Sequence, residues 1–490
     1  MSNLVPTLEE PVSETSSPTR PGLILAVLAT ASFVAVLDVW ITNVGLPAIG
    51  RGIHERSLSN LSWVLSAYAI VYAALLVPAG RLADRYGRKS GFVLGLALFI
   101  SASLGCALSG GIGVLIAFRA LQAVGAALLT PTSLGLVLTT APSEKVATYI
   151  KIWVIAGVLA ASTGPVLGGL LLQVSWRWIF LVNVPVGLVA IAAALRLVPD
   201  QRHEQDARVP DALGALLLIV AIGSLALGLV KGTDWHWSSG GTVASFVIAA
   251  AALAAFVRRS SRHPAPVMRL DLMRDRVFAS ANAGILLTLA SFSILFLSVI
   301  LWLQLHWGYS AIKVGLASAP GPAVVPFFAT IAENLQKKAR VPAGIIAAAG
   351  SVVIGLGAIL FEVRLGSHPH YVSDFLLCWM AVGAGAGLAL PTILSTATAD
   401  LAPEDSATGS AIVSMSQQIG SVVGVSVLVA ILGLASGGAG LHVFRHAWLA
   451  SAGIAALAAA GNLGLIRFKN KLTPVLMVDL EDPTVSSTEP

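Results

Sequence analysis

Fourteen apolar stretches divide almost the whole chain, near residues 22–46, 60–80, 90–109, 112–140, 146–173, 178–197, 211–231, 241–258, 277–305, 311–332, 341–362, 372–399, 408–434 and 446–467. About 20 consecutive apolar residues cross a bilayer as a helix. A backbone in hydrocarbon must satisfy its own polar groups, which leaves helices or closed barrels. Runs of this length are too long for barrel strands, so the chain reads as an all-α integral membrane protein. Composition agrees: 11% of the 490 residues are charged, against roughly 25% in soluble domains.

Lys and Arg set the expected orientation. They gather at Arg81, Arg85, Arg88 and Lys89, then at Arg258, Arg259, Arg262, Arg269, Arg274 and Arg276, then at Lys337, Lys338 and Arg340. Counted over the connections, they are about threefold more numerous on one side, which predicts that side and both termini to be cytoplasmic. Arg51 and Arg56 fall on the other side. The net charge of +6 is spread between spans, so it is a topology signal and gives no nucleic-acid patch. Residues 1–21 and 469–490 read as polar cytoplasmic tails, and the first apolar run is too long for a cleaved signal. The expected organisation is a first six-helix bundle over 22–200, two inserted helices and a linker over 201–276, and a second six-helix bundle over 277–468.

A degraded repeat supports that duplication. Gly80-Arg81-Leu82-Ala83-Asp84-Arg85-Tyr86-Gly87-Arg88-Lys89 returns as Ala329-Thr330-Ile331-Ala332-Glu333-Asn334-Leu335-Gln336-Lys337-Lys338. In both copies an acid is followed four residues later by a basic pair at the end of a span. Parallel repeats of this kind mark transporters.

Two charges lie deep in apolar runs: Asp38 in the first and Arg119 in the fourth. An ionised group there is costly and marks a pathway or an internal pair. Arg does not deprotonate in proteins, so its role must be electrostatic. Asp38 is the only carboxylate read as deep in a first-half span, and thus the candidate proton carrier.

Four segments together resemble the major facilitator superfamily, in its fourteen-helix drug:proton antiporter branch. Residues 80–89 are similar to the superfamily's loop motif, which implies a conformational latch at Gly80, Asp84, Arg85, Gly87 and Arg88. Leu37-Asp38-Val39-Trp40-Ile41-Thr42-Asn43 is similar to the branch's first-helix signature. Arg119-Ala120-Leu121-Gln122 is similar to the motif whose Arg is linked to proton transfer. Ser162-Thr163-Gly164-Pro165-Val166-Leu167-Gly168-Gly169 is similar to the antiporter motif, which implies a hinge or seal at Gly164, Pro165, Gly168 and Gly169. Trp176-Arg177-Trp178-Ile179-Phe180-Leu181-Val182-Asn183-Val184-Pro185 resembles the start of the sixth helix in that branch.

The resemblance implies two six-helix bundles with two inserted helices. It also implies a monomer in the plasma (inner) membrane that exports a hydrophobic or amphipathic small molecule in exchange for protons. Trp40, Asn43, Gln122, Trp153 and Gln417 are the candidate cavity residues. The competing reading is a proton-coupled or facilitative transporter of a metabolite or nutrient. No phosphate-binding loop, zinc motif or nucleophile elbow occurs. The expectation is therefore a non-enzyme with no cofactor and no metal; His368, His370 and Asp374 are read as an ordinary loop.

Overall fold

The computed structural model describes residues 21–200, 211–399, 401, 403–433 and 440–466. The expected terminal tails and the first part of the 201–276 linker therefore lie largely outside the described residues. The described chain is helical throughout. The first half comprises α1 (Pro21–Gly52), α2 (Leu58–Tyr86), α3 (Arg88–Leu108), α4 (Ile112–Thr140), α5 (Val146–Leu171), α6 (Trp178–Leu181) and α7 (Asn183–Leu197). Two inserted helices follow, α8 (Ala212–Trp235) and α9 (Gly240–Ser260). The second half comprises α10 (Arg276–Leu305), α11 (Ala311–Ser318), α12 (Pro320–Lys337), α13 (Ala343–Arg364), α14 (Leu377–Thr398), α15 (Pro403–Gly433) and α16 (Leu441–Asn462). Short α6 joins α7 in one span, and α11 joins α12 in another, so the helices make 14 spans. The break between α11 and α12 falls at Pro320 and Pro322, where proline withholds a helical N–H.

Local chemistry sets the ends. Ser57, Asp211 and Asp275 cap α2, α8 and α10 by accepting from the backbone N–H of Asn60, Gly214 and Phe278. Each such cap is worth about 1 kcal/mol. Between α2 and α3 the chain reverses at Gly87, whose φ of 105° excludes most side chains. Arg51 lies in the last turn of α1, where the helix dipole favours a cation. That accounts for one of the two residues that broke the charge pattern.

The repeat is visible as matched ion pairs. Asp84 binds Arg88 at 2.8 Å and Glu333 binds Lys337 at 2.5 Å, each four residues on along the chain. The end of the bundle holding these pairs and residues 258–276 is called the basic end below, and the opposite end the far end.

The two halves meet along two seams, α2 against α15 and α5 against α11. Inserted α8 packs on both α2 and α15, so the hairpin α8–α9 covers the first seam. Lys231 on α8 reaches Asn60 on α2 at 3.0 Å, and Ser59 donates to the Val230 carbonyl. A continuous apolar core at the far end contains residues of both halves, including Ile41, Val44 and Ile49 with Ile300, Trp302 and Leu428.

Candidate functional site

Asp38 is 0% exposed and Arg119 is 1% exposed. Five helices, α1, α2, α3, α4 and α7, bring their partners together. On α1, Asp38 Oδ2 accepts from Arg119 Nη1 on α4 at 2.5 Å. Its Oδ1 accepts from Gln122 Nε2 at 2.9 Å and from Asn183 Nδ2 on α7 at 3.0 Å. Ser103 on α3 completes the cluster: its Oγ accepts from Asn183 at 3.0 Å and donates to the Phe180 carbonyl at 2.9 Å. Arg119 Nε also donates to the Val64 carbonyl on α2 at 3.0 Å, and Nη1 to Gln122 Oε1 at 2.7 Å. Its guanidinium lies 4.4 Å from the Tyr68 ring centroid, a cation–π contact.

Among the described residues this is the one ion pair with both side chains buried. Such a pair holds only when extra hydrogen bonds offset desolvation, and here three donors converge on one carboxylate. Removing one partner is a different matter. Arg119→Ala leaves an uncompensated buried carboxylate and should cost about 3–5 kcal/mol, read as a lower thermal transition of the purified protein in detergent. An unchanged transition would mean that Asp38 is not held by its cation.

One atom in the cluster is left over. Asn183 Oδ1 is buried with no hydrogen-bond partner. The residue opens α7 and belongs to the motif of residues 176–185. Ser103, Tyr68 and the Val64 carbonyl carried no sequence signal at all. Gln122 sits three residues from Arg119 on the same helical face and is a full member of the cluster.

The other candidates divide. Trp40 points away from Asp38, toward the second half. Its ring meets Phe296 edge-on at 4.7 Å and Phe292 at 6.2 Å, and these stack on Trp379. The result is an aromatic group spanning the two halves. Asn43 bonds its own helix at the Val39 carbonyl. Trp153 donates to Ser133 Oγ at 3.2 Å within the first half. Gln417 is half-buried on α15. Asn43 and Trp153 thus each have a hydrogen-bond partner within the first half, and Asn43 lies three residues from Trp40 on the same side of α1.

The glycines of residues 164–169 serve two contacts. A Cβ on Gly164 would lie 2.6 Å from Trp40 Cβ, and one on Gly168 would lie 3.3 Å from Ile41. Both seat α5 on α1 inside the first half. Gly169 faces across the seam, where a Cβ would come 2.7 Å from the Ala311 carbonyl oxygen. Gly315 on α11 answers it: a Cβ there would lie 2.2 Å from the Pro165 carbonyl oxygen. Backbones touch between the halves at these two positions.

At the basic end, Asp84 pairs with Arg88, which also donates to the Gly135 carbonyl on α4 at 3.3 Å. A Cβ on Gly80 would meet Pro131 at 3.3 Å. These contacts join α2, α3 and α4 within the first half. Arg85 lies with its guanidinium near the Tyr86 ring. No group of three or more His, Cys, Asp or Glu side chains that could hold a metal occurs among the described residues.

The second half has no counterpart to the charged cluster among the described residues. Its buried polar groups are neutral: Ser291 with Ser451, Trp448 with Ser298, and Asn462 with Ser351.

The profile of the Major Facilitator Superfamily matches residues 28–425. The chain is 34% identical over 416 residues to the multidrug resistance protein Stp of Mycobacterium tuberculosis, covering 84% of this chain and 76% of Stp. It is 31% identical over 441 residues to the methylenomycin A resistance protein of Bacillus subtilis, covering 89% and 90%. The crystal structure of the POT family transporter PepTSo superposes with a TM-score of 0.67 at 15% identity, over 91% of this chain and 98% of that one.

Proposed function

The chain belongs to the major facilitator superfamily, and from that premise we propose that it exports a hydrophobic or amphipathic small molecule in exchange for protons, by alternating access. The observation that carries the reading is the sealed cluster around Asp38. Among the described residues its carboxylate is the one buried acid paired with a buried cation, and neutral acceptors remain around that cation when the carboxylate loses its charge. When Asp38 takes a proton, Arg119 keeps the Val64 carbonyl, Gln122 Oε1 and the face of Tyr68. The new hydroxyl needs an acceptor. Rotation of the Asn183 amide by half a turn presents its spare oxygen, so both protonation states have a bonded arrangement.

Coupling to cargo runs along α1. Asp38 faces the first half and Trp40, two residues on, faces Phe292 and Phe296 of the second. Any shift of α1 that follows protonation moves the aromatic surface as well. Flat rings suit a hydrophobic or amphipathic cargo. The names of the relatives, a multidrug resistance protein and an antibiotic resistance protein, support export over uptake of a nutrient.

The basic end is proposed to face the cytoplasm. With the two native cysteines buried, Arg262→Cys supplies a single exposed thiol. An impermeant reagent should label it from inside only; labelling of intact cells would reverse the orientation.

Asp84 is proposed to supply a charge to one conformation and not the other; here it pairs with Arg88 within the first half. Asp84→Asn should lower transport up to about fivefold with normal amounts of protein in the membrane. Wild-type rates would remove the latch role. The function as a whole is tested in reconstituted vesicles: export of a lipophilic cationic or neutral dye should draw protons the opposite way, and dye movement without proton flux would leave only a facilitator.

A further inference from the structure

A cavity of about 660 Å³ lies at the basic end, between the last turns of α2 and the segment 260–274 that follows α9. Its walls carry Arg81, Arg269 and Arg274, together with Ser260, Asp84 and Asp271. The carboxylates are already engaged. Asp84 is paired with Arg88 at 2.8 Å. Asp271 pairs with Arg269, whose guanidinium holds its carboxyl below the usual range. Arg269 also bonds Asp405 near the start of α15. Arg81 and Arg274 have no ion-pair partner among the described residues.

A second observation points into the same cavity. Ser260 is 4% exposed, and its Oγ is buried with no hydrogen-bond partner. A buried hydroxyl without a partner is costly, about 1–3 kcal/mol, and is rare in a native fold. Like-charged guanidinium groups sharing a pocket with that hydroxyl make a set of donors lacking an acceptor. A phosphate supplies several acceptor oxygens and the negative charge that such arginines bind in a forked geometry.

We propose that this cavity is a phosphate-binding site, held by Arg81, Arg274 and Ser260, that takes a phosphate group from an anionic lipid headgroup or from a soluble phosphate compound. The site reaches across the molecule. Arg81 belongs to the first half, whereas the 260–274 segment leads into α10 and is tied to α15 through Arg269. A bound phosphate therefore links the halves at the basic end and favours whichever arrangement keeps them at this distance.

The test uses the full-length purified protein in neutral detergent and in nanodiscs. Inorganic phosphate is titrated in detergent at constant ionic strength set with chloride, and thermal stability is followed. Nanodiscs of phosphatidylcholine alone are compared with nanodiscs containing phosphatidylglycerol. Phosphate in detergent, phosphatidylglycerol in nanodiscs, or both should raise the transition temperature; which of them does identifies the source. Arg81→Gln and Ser260→Ala should each weaken the effect about tenfold, while Arg364→Gln, outside the cavity, should not. Ser260→Ala also removes the unpartnered hydroxyl, so the unliganded protein should be no less stable than the parent, which separates lost binding from lost folding. The proposal is overturned if neither source stabilises the parent beyond chloride. It is equally overturned if Arg81→Gln and Ser260→Ala respond like Arg364→Gln.

Discussion

Asp38→Asn is expected to abolish accumulation against a gradient while leaving the protein folded. A pH difference of one unit supplies about 1.4 kcal/mol per proton, enough to sustain about a tenfold concentration ratio for one proton exchanged. In vesicles loaded with dye, the parent should approach that ratio, and Asp38→Asn should settle near one. The substitution keeps the size of the side chain. Its amide oxygen can still accept from Arg119, and its NH₂ group can donate to the Asn183 oxygen once that amide turns over; the Gln122 Nε2 donor loses its carboxylate acceptor and keeps only Ser103 Oγ. Downhill exchange of dye should therefore survive. Proton-driven accumulation by Asp38→Asn would place the coupling group elsewhere, most plainly among the polar residues of the second half, whose fully buried members are neutral among the described residues.

Gly315→Leu is the second substitution with a large expected effect. Its Cβ alone would sit 2.2 Å from the Pro165 carbonyl oxygen, and backbone cannot rotate aside as a side chain does. Overpacking of this sort costs about 1–3 kcal/mol, which shifts a two-state population about 5- to 150-fold. The α5–α11 seam should part and transport should fall accordingly. A reporter shows the cause directly. Val44 is 0% exposed beneath the far-end seal, and its carbonyl accepts from Gln304 across the halves. Val44→Cys should resist an impermeant thiol reagent in the parent and react in the Gly315→Leu background. A silent Val44→Cys together with parental transport rates would mean that the two backbones need not touch.

The two findings differ in how readable they were. Asp38 and Arg119 were legible because a charge in an apolar run is rare enough to stand alone. Their neutral partners were not. Asn183, Ser103 and Gln122 are residue types scattered through many membrane helices, and only helix rotation decides which ones meet. The Val64 carbonyl, a backbone group, could not be singled out from sequence at all. The 14 spans and the duplicated ion pair were legible through length and spacing. The division of labour within residues 164–169 was not. Four-residue spacing puts Gly164 and Gly168 on one face, but the identity of the helix they face depends on the tertiary arrangement. That face turned out to be α1, and the contact with the other half fell to Gly169. Trp153 and Asn43 read as cavity candidates because they are polar or amphipathic in apolar runs. What the sequence did not show is that each has a hydrogen-bond partner in the first half, Ser133 Oγ and the Val39 carbonyl.

The inserted hairpin gives the molecule two unlike flanks. On the α2–α15 side, α8 lies over the seam as a second layer, with α9 beyond it. On the α5–α12 side no further helix covers the seam among the described residues, and both helices carry exposed apolar side chains, Ile152 and Ile155 on α5 and Phe327 on α12. A molecule dissolved in the surrounding lipid thus meets a wall on one side and bare helix surfaces on the other. For a cargo that enters between the halves from the bilayer, as the proposed export of an amphipathic molecule invites, one seam lies under a second layer of helix and the other does not.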